Sequence, residues 1–293
     1  MNNTITIDRH TFELSNLDKI LFPQAKITKG DLIAYYHQIA PFMLVHLKDR
    51  ALTMQRFPEG IAHEGFFQKD ASAYFPSWIK QKAVAKKEDG GGTTSYVVCN
   101  NTATLVYLAN QACITIHRWL SKIDKLHNPD LLIFDLDPST SDFSIVRTTA
   151  LDLKKILEEI NLVPFVMTTG QHGLHVIAPL KRTRTFDEVR AHANEIAEEL
   201  IKRNPETMTL EIRKNKRGIK LFIDTHRNAF TATAVTPYSV RAHSKASVAT
   251  PLHWDEVKSA CLRSDMYTVE NIFKRLEKIE DPWKDFFKKA RTF

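Results

Sequence analysis

The chain has 293 residues, of which 43% are hydrophobic, a formal net charge of +7 and a sequence pI near 9.2. That length suits one large domain or two closely joined ones, and the apolar fraction is enough for a substantial core. Three scattered cysteines, Cys99, Cys113 and Cys261, point to neither a disulfide framework nor a zinc site and fit a reducing, intracellular setting. The first 30 residues are polar and carry acids, without a signal-peptide core. No apolar stretch is long enough to cross a bilayer, so no membrane partner is expected. The basic balance favours a polyanionic partner such as nucleic acid, and the expected location is cytoplasmic and nucleoid-associated.

No internal repeat or long low-complexity tract interrupts the chain. Thr28 predicts the cap of a helix through Ile33, Tyr36 and Ile39, which Pro41 ends or kinks. The glycine triplet inside Lys86-Lys87-Glu88-Asp89-Gly90-Gly91-Gly92 predicts a hairpin tip before a strand at residues 95–99. Residues 105–119 read as a second helix. From residue 131 the pattern is more regular. Residues 131–137 read as a strand, and Asp142 caps a helix over 143–160. Strands at 163–168 and 174–180 flank a turn at 170–173. Thr185-Phe186-Asp187-Glu188 is a capping box that opens a helix to about Arg203. Strands at 207–212 and 219–224 follow. The order β-α-β-β-α-β with one strand added is the split βαβ pattern, which sets the first and third strands side by side. The expected fold is α/β (α+β). Residues 126–293 form a catalytic core lobe, and residues 1–125 form an N-terminal α/β lobe packed on it.

The strand at 131–137 delivers two acids. Leu131-Leu132-Ile133-Phe134 leads into Asp135-Leu136-Asp137-Pro138. Alternation along a strand puts Asp135 and Asp137 on one face, where two carboxylates repel each other. A divalent cation removes that conflict, because hard cations take oxygen ligands. A later strand ends the same way, in Leu221-Phe222-Ile223-Asp224. Three acids at strand ends can hold the metal pair used for in-line phosphoryl transfer. Surface caps after a core strand are the plainer reading for one such Asp, though not for the set. Phosphatases of the haloacid dehalogenase type also carry Asp-x-Asp after an apolar strand. Here Ser139 stands where they have Thr or Val, about 130 residues precede the motif, and their later paired acids are absent.

Other segments supply cations and donors. Thr168-Thr169-Gly170-Gln171-His172-Gly173-Leu174-His175 is a glycine-containing turn between two strands, where backbone N–H groups can approach phosphate. Arg213-Lys214-Asn215-Lys216-Arg217-Gly218-Ile219-Lys220 runs straight into the strand of Asp224, so some of its charges should reach the site, where a triphosphate needs counter-charges. Arg241 is a further candidate. Lys19 and Lys29, with a helix N-terminus, make an anion site. Phe66-Phe67-Gln68-Lys69 sets two adjacent aromatics beside a cation, which suits base stacking.

Taken in order, these segments resemble the polymerase domain of bacterial ligase D, within the archaeo-eukaryotic primase superfamily. The resemblance runs over nearly the whole chain. It begins with Leu17-Asp18-Lys19-Ile20-Leu21-Phe22-Pro23, Thr28-Lys29-Gly30-Asp31 and Gln55-Arg56-Phe57-Pro58. It continues through the aromatic pair, the acid motifs and the Thr-Gly-x-x-Gly-Leu-His turn. It closes on Thr236-Pro237-Tyr238-Ser239-Val240-Arg241 and Thr250-Pro251-Leu252-His253-Trp254.

The resemblance implies a single primase-polymerase domain with an RRM-like sheet. Its activity would be template-directed DNA/RNA nucleotidyl transfer, filling gaps and extending ends in non-homologous end joining, with a ribonucleotide preference. Asp135, Asp137 and Asp224 would be catalytic and bind two divalent metals, Mn2+ by preference or Mg2+. His117, Thr169, His172, His175, Arg217, Lys220 and Arg241 would contact the NTP or dNTP. Lys19 and Lys29 would hold the 5′-phosphate of DNA at a gap or break, with Arg56, Phe66, Phe67 and Lys69 also on DNA. Ku and a DNA ligase are the protein partners implied. His172 stands where relatives often have lysine, and Arg118 follows His117 where they often have proline. A primase that starts chains without a primer uses the same acids, and a non-catalytic end-bridging module would use only the phosphate pocket.

Overall fold

The computed structural model describes residues 3–86 and 91–293. They form two compact units. The first comprises Met1–Asp124, Thr233–Val248 and Thr268–Glu270, and the second Lys125–Ala232, Ala249–Tyr267 and Asn271–Phe293. No helix among the described residues is long and apolar enough to cross a membrane.

In the first unit, β1 (Thr4–Ile7) and β2 (His10–Glu13) form a hairpin, and β3 (Ile20–Phe22) pairs with β4 (Ile27–Thr28). Helix α1 (Lys29–Leu47) opens on a capping box in which Thr28 and Asp31 satisfy each other's backbone N–H. Pro41 lies inside α1 and does not end it. Burial of Ile39, Ala40, Met43 and Leu47 carries the helix past the hydrogen bond the proline lacks. β5 (Leu52–Arg56) and β6 (Phe66–Gln68) follow, then the hairpin of β7 (Gln81–Ala85) and β8 (Thr93–Val97). The expected glycine tip within residues 86–92 lies in part outside the described residues, which omit 87–90.

Residues 105–119 are not one helix. Helix α2 (Thr102–Asn110), capped by Asn101, stops before Ala112, whose φ of 54° is left-handed, and β9 (Cys113–Trp119) begins. The β-branched run Ile114-Thr115-Ile116 explains the switch, since such side chains favour strands. β9 lies between β5 and the later strand Thr233–Val235, with β6 at the edge. That pairing returns Thr233–Val248 to the first unit, where the sequence alone gives an unbroken lobe over 126–293. Cys99 and Cys113 are free and buried, and burial pushes the Cys113 thiol up to about 12.

The second unit is built on β10 (Leu131–Asp137), α3 (Phe143–Glu159), β11 (Phe165–Thr168), β12 (Leu174–Pro179), α4 (Phe186–Arg203), β13 (Met208–Thr209), α5 (Lys214–Arg217) and β14 (Leu221–Asp224). β15 is the strand Thr233–Val235 of the first unit, and β16 (Pro251–Leu252) completes the sheet. The strand order is β13-β14-β10-β12-β11-β16, so the first and third strands of the unit are neighbours. The expected strand at 207–212 is reduced to β13, and that at 219–224 begins at Leu221. Asp142 caps α3, and Thr185 with Glu188 forms the capping box of α4.

Alternation decides which face carries what. Leu132, Phe134 and Leu136 join Leu174, Val176, Leu221 and Ile223 in a core with Val146, Leu153 and Leu157 of α3 and Val189, Ala193 and Leu200 of α4. Asp135 and Asp137 therefore lie on the opposite face.

Gly173 marks the closest backbone approach. A Cβ there would lie 1.9 Å from the carbonyl oxygen of Leu136. Gly173→Ala should therefore destabilise the fold by about 3 kcal/mol or more, because β10 and the turn must separate to admit the methyl group. Urea unfolding of the two proteins measures this, and an unchanged midpoint would contradict the packing described.

Candidate active site

Strand register assembles the acids. Asp135 lies directly opposite His175 across β10 and β12, and directly opposite Asp224 across β10 and β14. Directly paired residues project to the same side of a sheet. Asp135, Asp137, His175 and Asp224 thus share the face turned away from α3 and α4. His175 Nε2 is 3.4 Å from Asp135 Oδ1, and its Nδ1 is buried with no hydrogen-bond partner among the described residues.

Two arginines compensate the carboxylates. Arg217 NH1 is 3.1 Å from Asp137 Oδ2. Its Nε donates to the carbonyl of Glu211 at 2.8 Å and its NH2 to that of Ile212 at 2.6 Å. The guanidinium also lies 3.9 Å from the centre of the Phe222 ring. α5 is the single turn that delivers it, leading from a basic stretch into β14.

Arg227 was not legible in the sequence. Its NH2 lies 3.4 Å from Asp135 Oδ2 and its Nε 3.5 Å from Asp224 Oδ2. The cause is the neighbouring Asn228, which is fully buried. Asn228 accepts from the N–H of Ile133 at 2.9 Å and donates to its carbonyl at 2.7 Å, continuing the β10 ladder with a side chain where β14 stops. The short turn His226–Asn228 is thereby fixed beside the acids. His226 Nδ1 also lies 3.1 Å from Asp224 Oδ1.

The turn after β11 is closed by Thr169, whose N–H donates to the Gly173 carbonyl at 3.0 Å. Ser264 Oγ donates to the same carbonyl at 2.7 Å. His172 is exposed at the tip. Lys220 Nζ donates to the carbonyl of Pro205 at 2.8 Å, so the structure engages it away from the carboxylates.

The remaining expected residues belong to the first unit. Lys29 is 5% exposed, and its Nζ donates to Ser15 Oγ at 3.0 Å. Burial, with Lys19 and Arg56 nearby, lowers its ammonium to about 8. Lys29 N–H donates to the carbonyl of Lys19 at 2.8 Å, so the two lysines come from adjoining backbone. Arg56 donates to the Gln111 carbonyl, Gln68 Oε1 and Tyr74 Oη. Phe66 and Phe67 are 47% and 62% exposed on the edge strand β6, next to exposed Lys69. His117 sits on β9, not on a helix, with its ring edge-on to Phe67 at 5.8 Å. Arg118 is fully buried and donates to the carbonyl of His46 at 2.9 Å. Arg241 is half-buried, and its N–H donates to the carbonyl of Ser247.

Among the described residues no group of three or more His, Cys, Asp and Glu side chains is drawn together as a ready ligand set. The arginines engage the carboxylates instead. The donor chemistry still fits a hard divalent cation, because three carboxylates on one face supply only oxygen.

A family model described as LigD, primase-polymerase domain, matches residues 28–283. The chain is 32% identical over 278 residues to the bifunctional non-homologous end joining protein LigD of Bacillus subtilis, covering 94% of this chain and 44% of that protein. It is 30% identical over 271 residues to the multifunctional non-homologous end joining protein LigD of Mycolicibacterium smegmatis, covering 92% of this chain and 35% of that protein. The chain therefore spans less than half the length of these curated relatives. The solved polymerase domain of Mycobacterium tuberculosis ligase D in complex with DNA superposes with a TM-score of 0.88 at 28% identity, covering 95% of this chain and 99% of that one. This α/β chain, with its strand-borne acids, belongs to the LigD primase-polymerase domain family, and so to the nucleotidyltransferases.

An ammonium cannot serve the Glu211 and Ile212 carbonyls, Asp137 and the Phe222 face at once. Arg217→Lys should therefore lower stability by about 1–2 kcal/mol, read from thermal melts. An unchanged melting temperature would mean that the fork contributes nothing net.

Proposed function

We propose that this chain is a template-directed nucleotidyltransferase that fills gaps and extends ends in double-strand break repair by non-homologous end joining. The observation that carries this reading is the register that sets Asp135 opposite both Asp224 and His175. Residues 1–293 act as one primase-polymerase domain. When bound, two divalent cations on Asp135, Asp137 and Asp224, manganese by preference, would lower the pKa of the primer 3′-hydroxyl and stabilise charge on the triphosphate and leaving pyrophosphate. Arg217, already held by two carbonyls, offers a preset cation for that charge at little reorganisation cost. His175 offers its free Nδ1, and Thr169, His172, His117 and Arg241 complete the nucleotide contacts. A ribonucleotide is the preferred substrate.

DNA is the partner, with Ku and a DNA ligase at the break. The likeness to the Mycobacterium tuberculosis polymerase domain supports the DNA partner, since that domain is in complex with DNA. Lys19 and Lys29 hold a downstream 5′-phosphate, while Arg56, Phe66, Phe67 and Lys69 meet the strand, the exposed rings by base stacking.

The deciding experiment is extension of a gapped, 5′-phosphorylated duplex with manganese, comparing NTPs with dNTPs. The native chain should add the templated nucleotide. The Asp135→Ala/Asp137→Ala double variant should lose at least ~10³-fold in rate while still binding the duplex. Binding without any addition by the native chain would leave only an end-bridging role, and de novo synthesis on a single strand would make it a primase.

Lys29 gives this reading a pH signature. Below about 8 its ammonium is charged, and above that it is lost, so attraction for a phosphate dianion falls as pH rises. The preference for a 5′-phosphate over a 5′-hydroxyl should shrink between about pH 7 and about pH 9.5, and Lys29→Arg should remove the trend because arginine stays charged. Binding titrations across that range test it, and a flat preference in the native chain would contradict it.

A further inference from the structure

The first unit contains an anion that the reading above does not use. Glu59 Oε2 lies 2.6 Å from Lys19 Nζ, in a pair open to solvent on both sides. The neighbouring cations are engaged differently. Lys29 reaches the neutral Ser15 hydroxyl, and Arg56 reaches three neutral side chains and a carbonyl. Neither has a carboxylate partner among the described residues.

The backbone presents Glu59 rather than leaving it on a loose loop. Gly60 has a φ of +82°, and a Cβ there would lie 3.0 Å from the carbonyls of Ile20 and Leu21. Gly60 N–H donates to the Phe57 carbonyl and Ile61 N–H to that of Leu21. The turn carrying Glu59 is therefore seated against the strand that follows Lys19.

We propose that Glu59 is a built-in competitor for the anion site of Lys19 and Lys29, occupying Lys19 until a terminal phosphate monoester displaces it. The inference rests on the assignment of these lysines to a 5′-phosphate. Its logic is a charge balance. A phosphodiester carries one negative charge and gains little by replacing one carboxylate with one anion. A terminal monoester carries close to two at neutral pH and can satisfy Lys19 and Lys29 together. The lowered Lys29 ammonium fits the same picture, since burial and the neighbouring Lys19 and Arg56 disfavour its charge and no carboxylate among the described residues pairs with it. Glu59 is thus a specificity-determining residue that raises discrimination against internal backbone phosphates at some cost in affinity. An exposed pair of this kind is weak enough for a dianion to break.

The test compares binding of gapped duplexes with a 5′-phosphate or a 5′-hydroxyl, by fluorescence anisotropy at fixed salt and neutral pH. Glu59→Gln should tighten binding of the hydroxyl duplex roughly three- to tenfold, because a diester no longer has to displace a carboxylate, and tighten the phosphorylated duplex less, so that the ratio of the two affinities falls. Glu64→Gln, which removes an exposed acid of the same loop, should leave the ratio of the two affinities unaltered. If Glu59→Gln leaves that ratio unchanged while Lys19→Ala abolishes it, the phosphate site stands and the competitor role is wrong. If the native chain shows no phosphate preference and Lys19→Ala alters nothing, the site assignment itself has failed, and the role of Glu59 falls with it.

Discussion

The pairing of β10 with β12 on one side and β14 on the other is the constraint on which the second unit depends. Strand register is specified by the hydrophobic face, because a slip of one residue moves every side chain to the other side. Here the buried set is Leu132, Phe134 and Leu136, and it can face α3 and α4 in only one register. The same alternation then sends Asp135 and Asp137 to the other face, opposite His175 and Asp224. Stability and chemistry are written into alternate positions of one strand, so the fold cannot form properly with the acids misplaced.

Gathering three carboxylates creates a charge problem, which the free chain solves with arginine. Removing one member of a shielded ion pair leaves an uncompensated charge. Arg217 and Arg227 supply that compensation by different routes. Arg217 is shielded and fixed by the carbonyls of Glu211 and Ile212, so it is a permanent part of the site. Arg227 is more exposed and straddles Asp135 and Asp224 at longer range. A cation arriving at those two acids would compete with Arg227 first. In the first unit Glu59 and Lys19 repeat this logic with the signs exchanged.

What the sequence revealed follows from how local each signal is. The apolar run before Asp135, the Asp142 cap and the Thr185–Glu188 box are short-range features, and each became the element expected of it. The strand of His117 did not, because apolar spacing continues smoothly across Gln111 and Ala112 and only a left-handed Ala112 breaks it. Pro41 misled in the other direction, since tertiary burial outweighs one missing hydrogen bond. The return of Thr233–Val248 to the first unit is a pairing with β9 across more than a hundred residues, which no local pattern announces. Arg227 was hidden for the same reason. Its position depends on Asn228 bonding to Ile133, 95 residues away. The contact of Lys19 with Glu59, 40 residues apart, is equally invisible from spacing.

The central claim is that the strand register makes Asp135 and Asp224 two parts of one divalent-cation site. Manganese binding followed by electron paramagnetic resonance tests it most directly, because free and bound Mn2+ give distinct signals without any turnover. The native chain should bind Mn2+, and an Asp135→Asn/Asp224→Asn variant with an unchanged circular dichroism spectrum should not. Equal binding by the folded variant would contradict the claim and assign these acids to the structure alone.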